Sequence, residues 1–333
     1  MRPIFQPLMV NEPFGDPVLY VDFLFARRAL LFDAGDLRAL PTRKLLRVSD
    51  VFLSHAHMDH FEDFDRLVRF MLGRGKWVRV YGPQGIAERL MHKLAAYDWN
   101  LVHNYEEDVS FEVFELCAPD ELVRTVMRCR NRFEPEPGGS RETAGGLLRE
   151  EPEFRVRAAI LDHGIPSLGF ALEETLHVNV WKNHLQELGL SVGPWLHELK
   201  QMVLEGKPDD TPVQAPEGRF TLGEMRRKVL QVVPGTKLAY LVDVGWTPDN
   251  VPRVLELIDG ADLLFIETAF LESDLEHGRR KLHLTARQAG ELARRAGVKR
   301  VVPIHFSPRY TGREAELHAE LHAAWQPAQQ GVA

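Results

Sequence analysis

Residues 52–60 read Phe52-Leu53-Ser54-His55-Ala56-His57-Met58-Asp59-His60, so three imidazoles and one carboxylate follow directly on an apolar stretch. Side chains at i and i+2 leaving a strand point the same way, so His55 and His57 can hold one metal ion. Asp59 and His60, about one turn further on, can face a second. Two ions ~3.5–4 Å apart are an arrangement that hydrolases use to generate a nucleophile. The alternative is a histidine-rich surface turn, but the strand-to-loop context favours a metal site.

Four more potential ligands or supporting residues each end an apolar stretch elsewhere in the chain. They are Asp33 after Leu31-Phe32, His163 after Leu161-Asp162, Asp243 after Leu241-Val242, and His305 after Pro303-Ile304. Taken alone, His163, Asp243 and His305 are each more often structural or capping groups than ligands. Taken together, one at the end of each successive strand, they are better explained as parts of one metal site.

Hydrophobic periodicity predicts an α/β chain in two halves. A strand hairpin is expected over Val18–Asp33, turning around Arg27-Arg28, and Phe133–Glu151 is expected to be a flexible loop because of its Pro, Gly, Glu and Arg content. The other predicted elements before residue 173 are strands Val51–Ser54, Trp77–Tyr81, Phe154–Leu161 and Leu168–Leu172, further strands within Ser110–Phe133, and helices Phe61–Leu72 and Pro83–Tyr97.

The alternating pattern stops over residues 173–234, where two amphipathic helices are predicted, Val178–Leu188 and Pro194–Leu204. This stretch is interpreted as an inserted helical arm in a single domain of residues 1–333. Two α/β halves around such an arm suit a four-layer αββα sandwich, with two sheets face to face and helices outside. After the arm in the sequence we predict strands Lys237–Asp243, Leu263–Glu267 and Arg300–His305, and helices Asn250–Ile258, Ala286–Ala296 and Glu314–Ala324.

Composition narrows the class of protein. The chain has 333 residues and is 44% hydrophobic, which is enough for a substantial core. Its apolar runs are shorter than the ~20 residues of a membrane span, and the N-terminus lacks a signal-peptide pattern, so a cytoplasmic protein is expected. The net charge of −7 argues against a broad electrostatic grip on nucleic acid, so any such contact must be local.

The His-x-His-x-Asp-His motif at residues 55–60 resembles the signature of the metallo-β-lactamase superfamily. The resemblance implies two zinc ions, with manganese as the alternative. It assigns one ion to His55, His57 and His163, the other to Asp59, His60 and His305, and a bridging role to Asp243. Asp33 is then expected to orient a metal-binding histidine.

Three later segments resemble the ribonuclease Z family, which removes the 3′ trailer of precursor tRNA. They are Phe265–Phe270, His283–Ala289 and His305–Tyr310. The Gly-Pro segment Leu188–Pro194 is similar to the family's tRNA-gripping exosite, although an ordinary helical hairpin explains it about as well. The resemblance implies a precursor tRNA substrate and a homodimer.

The mechanism implied by the resemblance is attack of hydroxide on phosphorus, assisted by two metal ions. Asp59 orients the hydroxide, and His283, supported by Glu267, donates a proton to the leaving sugar oxygen, since imidazole titrates near physiological pH. Ser307 and Arg309 are the expected substrate-binding residues, with the planar guanidinium pairing with a phosphate.

Departures from the family pattern keep a second hypothesis open. Asp33 is followed by Ala34-Gly35-Asp36-Leu37-Arg38, His60 by Phe61-Glu62-Asp63-Phe64-Asp65, and Asp243 by Val244-Gly245-Trp246. These changes alter the substrate-facing rim, so a phosphodiesterase or other ester hydrolase acting on a small or non-tRNA substrate is the alternative. A binding module without catalysis is a third hypothesis, and the complete ligand set opposes it.

Overall fold

The computed structural model describes residues 4–24, 26–118 and 121–326, in which the chain forms two compact units. The larger unit contains Phe5–Leu148, Arg157–Ala171 and the chain from Leu238 onward, and the smaller contains Arg149–Val156 and Leu172–Lys237. No helix of the described residues combines the length and the apolarity needed to cross a bilayer. The predicted single domain over 1–333 includes residues 1–3, 25, 119–120 and 327–333, which lie outside the described residues.

An eight-stranded sheet, in the order β1 to β8, contains a parallel centre and antiparallel flanks. The predicted hairpin is confirmed, because β2 and β3 pair antiparallel. Strands β3 to β6 are parallel neighbours. The strands are β1 Phe5–Met9, β2 Leu19–Phe23, β3 Ala29–Phe32, β4 Val48–Phe52, β5 Lys76–Pro83, β6 Val109–Ala118, β7 Glu121–Arg128 and β8 Pro135–Glu142.

A six-stranded sheet has the order β18-β17-β16-β11-β10-β9, and its strands β16, β17 and β18 run parallel. Its strands are β9 Leu147–Glu150, β10 Phe154–Asp162, β11 Pro166–Glu174, β16 Lys237–Leu241, β17 Leu263–Glu267 and β18 Val301–Ile304. The helices outside the insert are α1 Thr42–Leu45, α2 Met58–Phe61, α3 Phe64–Met71, α4 Ile86–Ala95, α8 Asn250–Ile258, α9 Leu275–Lys281, α10 Ala286–Arg295 and α11 Glu314–Trp325.

Buried aromatic rings join the two sheets inside the larger unit. Phe32 and Phe52 of the first sheet lie 5.6 and 5.8 Å from Phe170 of the second, and Phe32 lies 5.9 Å from Tyr240. Apolar residues of α3 and α4 pack in one outer core, and those of α8, α10 and α11 in another. The predicted four-layer αββα sandwich is therefore confirmed.

The smaller unit has its own apolar core, which contains Leu185, Trp195, Leu199 and Met225. Its elements are β12 Leu176–Val180, α5 Lys182–Glu187, α6 Trp195–Leu204, β13 Pro212–Ala215, β14 Gly218–Thr221, α7 Leu222–Lys228 and β15 Leu230–Pro234. The arm is thus only partly helical. The helix predicted over Val178–Leu188 is wrong at its start, because β12 pairs antiparallel with β15 and uses the β-branched valines there.

One other prediction was wrong. The expected loop Phe133–Glu151 contains β8, which pairs antiparallel with β7 at the end of the sheet, and β9. An edge position tolerates the prolines and glycines that suggested a loop. The helix predicted over Phe61–Leu72 is confirmed as α3, which begins three residues later, and Asp59 and His60 lie on the separate short helix α2.

Candidate metal centre

The ends of the strands gather the seven predicted ligands at one place. His55 and His57 follow β4, and Asp59 and His60 lie on α2. The remaining ligands come just after β10, β16 and β18, and they are His163, Asp243 and His305. Parallel strands end at the same edge of a sheet, which explains how residues distant in sequence meet here.

Asp243 lies at the centre of the cluster. Its Oδ2 is 3.3 Å from Nε2 of both His55 and His163, and 3.5 Å from Nε2 of His60. Nδ1 of His57, a half-exposed side chain, is 3.9 Å from the same oxygen. The four residues expected to bind the first ion therefore form one group, with ligand atoms within 4.8 Å of one another. They are His55, His57, His163 and Asp243.

A second group of three contains Asp59, His60 and His305. Asp59 Oδ2 is 3.4 Å from Nε2 of His60 and 3.2 Å from Nε2 of His305. Asp243 Oδ1 lies 2.9 Å from Nδ1 of His305, so its two oxygens face both groups. The two clusters together suggest a binuclear metal site.

The histidines are oriented by contacts on their far nitrogens, which leave Nε2 toward the cluster. Nε2 of His55 and of His60 is fully buried and has no hydrogen-bond partner in the described structure. Such orphaned nitrogens, beside carboxylate oxygens, fit a zinc-type cation. The anchoring contacts are His55 Nδ1 to Ser54 Oγ at 3.0 Å, His60 Nδ1 to Asp33 Oδ2 at 2.8 Å, and His163 Nδ1 to the Leu282 carbonyl at 2.8 Å.

Asp33 is completely buried, and its Oδ2 contacts Nδ1 of His60, the nitrogen on the side away from the cluster. Ser54 donates to Asp33 through its backbone N–H at 2.7 Å and its hydroxyl at 2.9 Å. The Tyr240 hydroxyl donates to it at 2.9 Å, and burial and the Asp33 charge raise the pKa of Tyr240 well above its ordinary value. Sequence reasoning missed Ser54 and Tyr240, since a serine just after an apolar strand and a tyrosine within one carry no ligand signal.

Three site residues have left-handed backbone conformations, which residues other than glycine rarely adopt. Asp33, Asp243 and His305 have φ values of 57°, 48° and 57°. Each follows a strand, and such conformations cost on the order of 1–3 kcal/mol. Strain at all three suggests that the surrounding fold holds these side chains in place for the site.

Glu267 and His283 form a buried pair beside the cluster. Glu267 Oε2 is 2.7 Å from His283 Nδ1, and Oε1 accepts the N–H groups of Val244 and Leu284 at 2.9 and 3.2 Å. Burial acts to raise the pKa of Glu267, but the charge and hydrogen bond of His283 outweigh it and lower that pKa to about 2. Burial acts to lower the pKa of His283, and Glu267 raises it above the ordinary value.

His283 is also close to the metal ligands. Its Nδ1 is 3.8 Å from Asp243 Oδ1, and Asp243, Glu267, His283 and His305 form a third group of potential ligands. The hydrogen bond from His283 to Glu267 is much shorter than the contact with Asp243, which favours a role outside the metal shell. A test of that role must therefore include the metal content.

The carboxylates and imidazoles of the cluster shift one another's pKa values. Burial acts to raise the pKa of Asp59, but the close contacts and the charges of His305 and His60 lower it below its ordinary range. Burial acts to lower the pKa values of His60 and His305, but the Asp243 charge and other carboxylate contacts raise both well above normal. A bound cation can replace these protons.

Ser307 and Arg309 do not contact the cluster within the described residues. Ser307 N donates to the Ala269 carbonyl at 3.2 Å, and Arg309 Nη1 pairs with Asp274 at 3.2 Å. Asp274 also accepts the Tyr310 hydroxyl. Their substrate-binding role stays a prediction, and Arg309 must share its guanidinium with Asp274.

Asn250 was also missed, although it links two ligand-bearing loops. It is fully buried, and its side chain exchanges hydrogen bonds with the backbone of Asp162 at 2.9 and 2.8 Å. It also donates to the Gly245 carbonyl at 2.8 Å. The loops that carry His163 and Asp243 are therefore joined at the first residue of α8.

Gly35, two residues after Asp33, lies in close contact with the backbone of α2. A Cβ at Gly35 would lie 2.1 Å from the backbone oxygen of Asp59 and 2.7 Å from Cβ of Asp16. Real atoms do not approach so closely, so glycine is required for α2 to pack against this turn.

Comparison with known proteins identifies relatives that share the fold. Residues 22–156 and 211–306 match a family described as the Beta-lactamase superfamily domain. Ribonuclease Z of Deinococcus radiodurans is 32% identical over 322 residues, which are 95% of this chain and 93% of that protein. Both matches include the His-rich motif.

Two solved structures show a similar architecture. The metallo-beta-lactamase fold protein YhfI from Bacillus subtilis has a TM-score of 0.56 at 15% identity, covering 98% of this chain and 94% of that one. The short form of human tRNase Z has a TM-score of 0.54 at 19% identity, covering 92% and 93%. At these identities the likeness supports the fold alone.

Proposed function

The chain belongs to the metallo-β-lactamase superfamily, and on this premise we propose that it is a phosphodiester hydrolase of the ribonuclease Z type. The observation that carries the proposal is the 32% identity to a ribonuclease Z across 95% of the chain. The His/Asp clusters support metal-dependent hydrolysis, and the Glu267–His283 pair supports proton transfer beside them.

The proposed ligand set contains one group for each of two ions. His55, His57 and His163 hold the first ion, and Asp243 contributes to both. Asp59, His60 and His305 hold the second. Zinc is proposed because imidazole and carboxylate donors suit it, and manganese is the alternative. When bound, such ions supply Lewis acidity and lower the pKa of water.

The protein's own side chains handle the protons in this proposal. Glu267 accepts a hydrogen bond from the Nδ1–H group of His283. Nε2 of His283 is then the nitrogen that delivers a proton to the leaving sugar oxygen. Asp59, of which 43% of the side chain is exposed, accepts a hydrogen bond from the attacking water and orients it. Val244 and Leu284 hold Glu267 so that the pair keeps its geometry.

The proposed substrate is precursor tRNA, cleaved at its 3′ trailer. The insert at 173–234 is the proposed exosite, and Ser307 and Arg309 are proposed to contact phosphate. Similarity to ribonuclease Z and the distinct apolar core of the insert support these assignments. The expected homodimer stays a prediction.

The direct experiment is incubation of the purified protein with precursor tRNA and, in parallel, with a small chromogenic phosphodiester, with zinc or manganese. Cleavage of the tRNA at one site near the end of the acceptor stem supports the proposal. Hydrolysis of the small diester with intact tRNA favours a phosphodiesterase acting on another substrate. The net charge of −7 and the Arg309–Asp274 pair are the observations that favour this alternative.

A further inference from the structure

The basic end of helix α9, Arg279–Lys281, lies beside the candidate metal centre. The helix ends at Leu282, whose φ is 58° and whose N–H donates to the Arg279 carbonyl at 3.1 Å. The Leu282 carbonyl is the group that contacts His163 Nδ1 at 2.8 Å, and His283 is the next residue. The fold therefore fixes this basic segment next to a predicted metal ligand and the proposed proton donor.

Two of the three cations have no carboxylate partner in the described part of the chain. Arg280 and Lys281 are exposed, and neither forms an ion pair with any of the residues that the structure describes. The nearby acidic side chains are already paired, as Arg279–Glu276 and Arg309–Asp274, each at 3.2 Å. Two positive charges are thus left uncompensated beside the site of a chain whose net charge is −7.

Arg280 is positioned by a hydrogen bond to His277, whose ring packs against other rings near the site. Its Nη2 donates to Nδ1 of His277 at 2.8 Å, and the His277 ring packs on Phe270 with centroids 5.1 Å apart. Phe270 lies 6.0 Å from the His283 ring. Burial, then Arg309, Arg280 and Lys281, lower the pKa of His277, which favours the neutral ring that can accept this hydrogen bond. The guanidinium has further N–H groups for an incoming anion.

Basic residues at the end of a helix can also have a purely structural role. Cations there stabilise the negative end of the helix dipole. Helix α10 shows the same arrangement, with exposed Arg294 and Arg295 in its last turn. Because α10 begins beside the site and rises by about 1.5 Å per residue, these arginines lie roughly 13 Å further away. They provide a control with the same charge at the same helix position, and Arg295 also pairs with Glu291 at 3.4 Å.

We propose that Arg280 and Lys281 form a phosphate-binding site for the backbone of a polynucleotide substrate, next to the scissile phosphodiester. This inference rests on the proposed function and refines it. A polynucleotide presents further phosphates beyond the one that is cleaved, and they can reach the exposed end of α9. A small diester has none, so it gains nothing from these cations.

The test compares the wild type, the double variant Arg280→Gln/Lys281→Gln and the control Arg294→Gln/Arg295→Gln. Three quantities are measured for each: KM and kcat on precursor tRNA, kcat/KM on a chromogenic phosphodiester, and affinity for a labelled single-stranded DNA oligonucleotide against salt concentration. The oligonucleotide offers the same backbone phosphates without requiring RNA cleavage. Thermal unfolding and metal content verify that each variant is intact.

The double variant at Arg280 and Lys281 is expected to raise KM for precursor tRNA and leave kcat and the small diester unchanged. The negative slope of log affinity against log salt concentration should become shallower by about 0.7 for each phosphate contact with the single strand that is lost. The control should match the wild type. Equal affinities and salt slopes for all three proteins, or no oligonucleotide binding by the wild type, overturn the proposal, as does an equal loss on the small diester. A wild type that binds the oligonucleotide but leaves precursor tRNA intact contradicts the proposed function instead.

Discussion

Replacing His283 by alanine tests the chemical role of the Glu267–His283 pair. The substitution removes the imidazole whose Nδ1 lies 2.7 Å from Glu267 Oε2. Glu267 is completely buried, but its Oε1 keeps the N–H groups of Val244 and Leu284. Because only one of its contacts is lost, the free energy of unfolding should fall by about 1–3 kcal/mol. The protein should therefore stay folded.

The loss of turnover should be larger than the loss of stability. General acid catalysis contributes ~10²–10⁴-fold, or about 2.7–5.4 kcal/mol of barrier at 1.36 kcal/mol for each factor of ten. This loss is expected for a substrate with an alkoxide leaving group, which needs a proton. A nitrophenolate leaves without one, so the loss should shrink for a nitrophenyl ester.

The assay is turnover of both substrates by His283→Ala, together with the metal content of the variant. His92→Ala is the control, since this histidine is 68% exposed on α4 and pairs only with Glu88 in the described structure. Equal losses on the two substrates, or loss of a metal ion, would refute the proton-donor role. The second outcome would assign His283 to the third group of potential ligands.

Three other changes test neighbouring parts of the account. Glu267→Gln should retain metal and reproduce much of the His283→Ala loss on the poor leaving group, because the amide cannot stabilise the charged imidazole; unchanged turnover argues against the pair. Asp33→Asn should weaken metal binding by about 10–100-fold in a chelator competition, because it removes the charge behind His60; an unchanged affinity contradicts its orienting role. Replacing residues 181–229 by an Asn-Gly turn, which joins β12 to β15, should abolish precursor tRNA cleavage and spare the small diester. Equal loss of both activities shows instead that the insert is needed for folding.

The motif residues were predictable because their signal is local. A dense His-x-His-x-Asp-His run directly after an apolar strand points to a metal site, and the lone residues Asp33, Asp243 and His305 follow the same rule of position. The structure brings all seven predicted ligands together, as strand ends at one edge require. The Glu267–His283 contact was also anticipated, through family resemblance and not through spacing.

The parts that sequence missed depend on contacts between distant segments. Ser54, Tyr240 and Asn250 are polar residues in apolar surroundings, and only the fold shows which buried group each one satisfies. Strand β8 was missed because edge strands accept proline and glycine. Strand β12 was missed because the apolar residues Val178 and Val180 fit the periodicity of a helix as well as that of a strand. Only the pairing with β15 shows which one the chain adopts.

Metal content tests the central claim most directly. Protein purified from zinc-replete medium should contain close to two transition-metal ions per chain by elemental analysis. Asp243→Ala should lose both, because the two oxygens of Asp243 face both groups, at 3.3 Å from His55 and 2.9 Å from His305. Replacing a single histidine should weaken the binding of one ion more than that of the other. A wild type without bound metal, or an Asp243→Ala variant that retains both ions, would contradict the account.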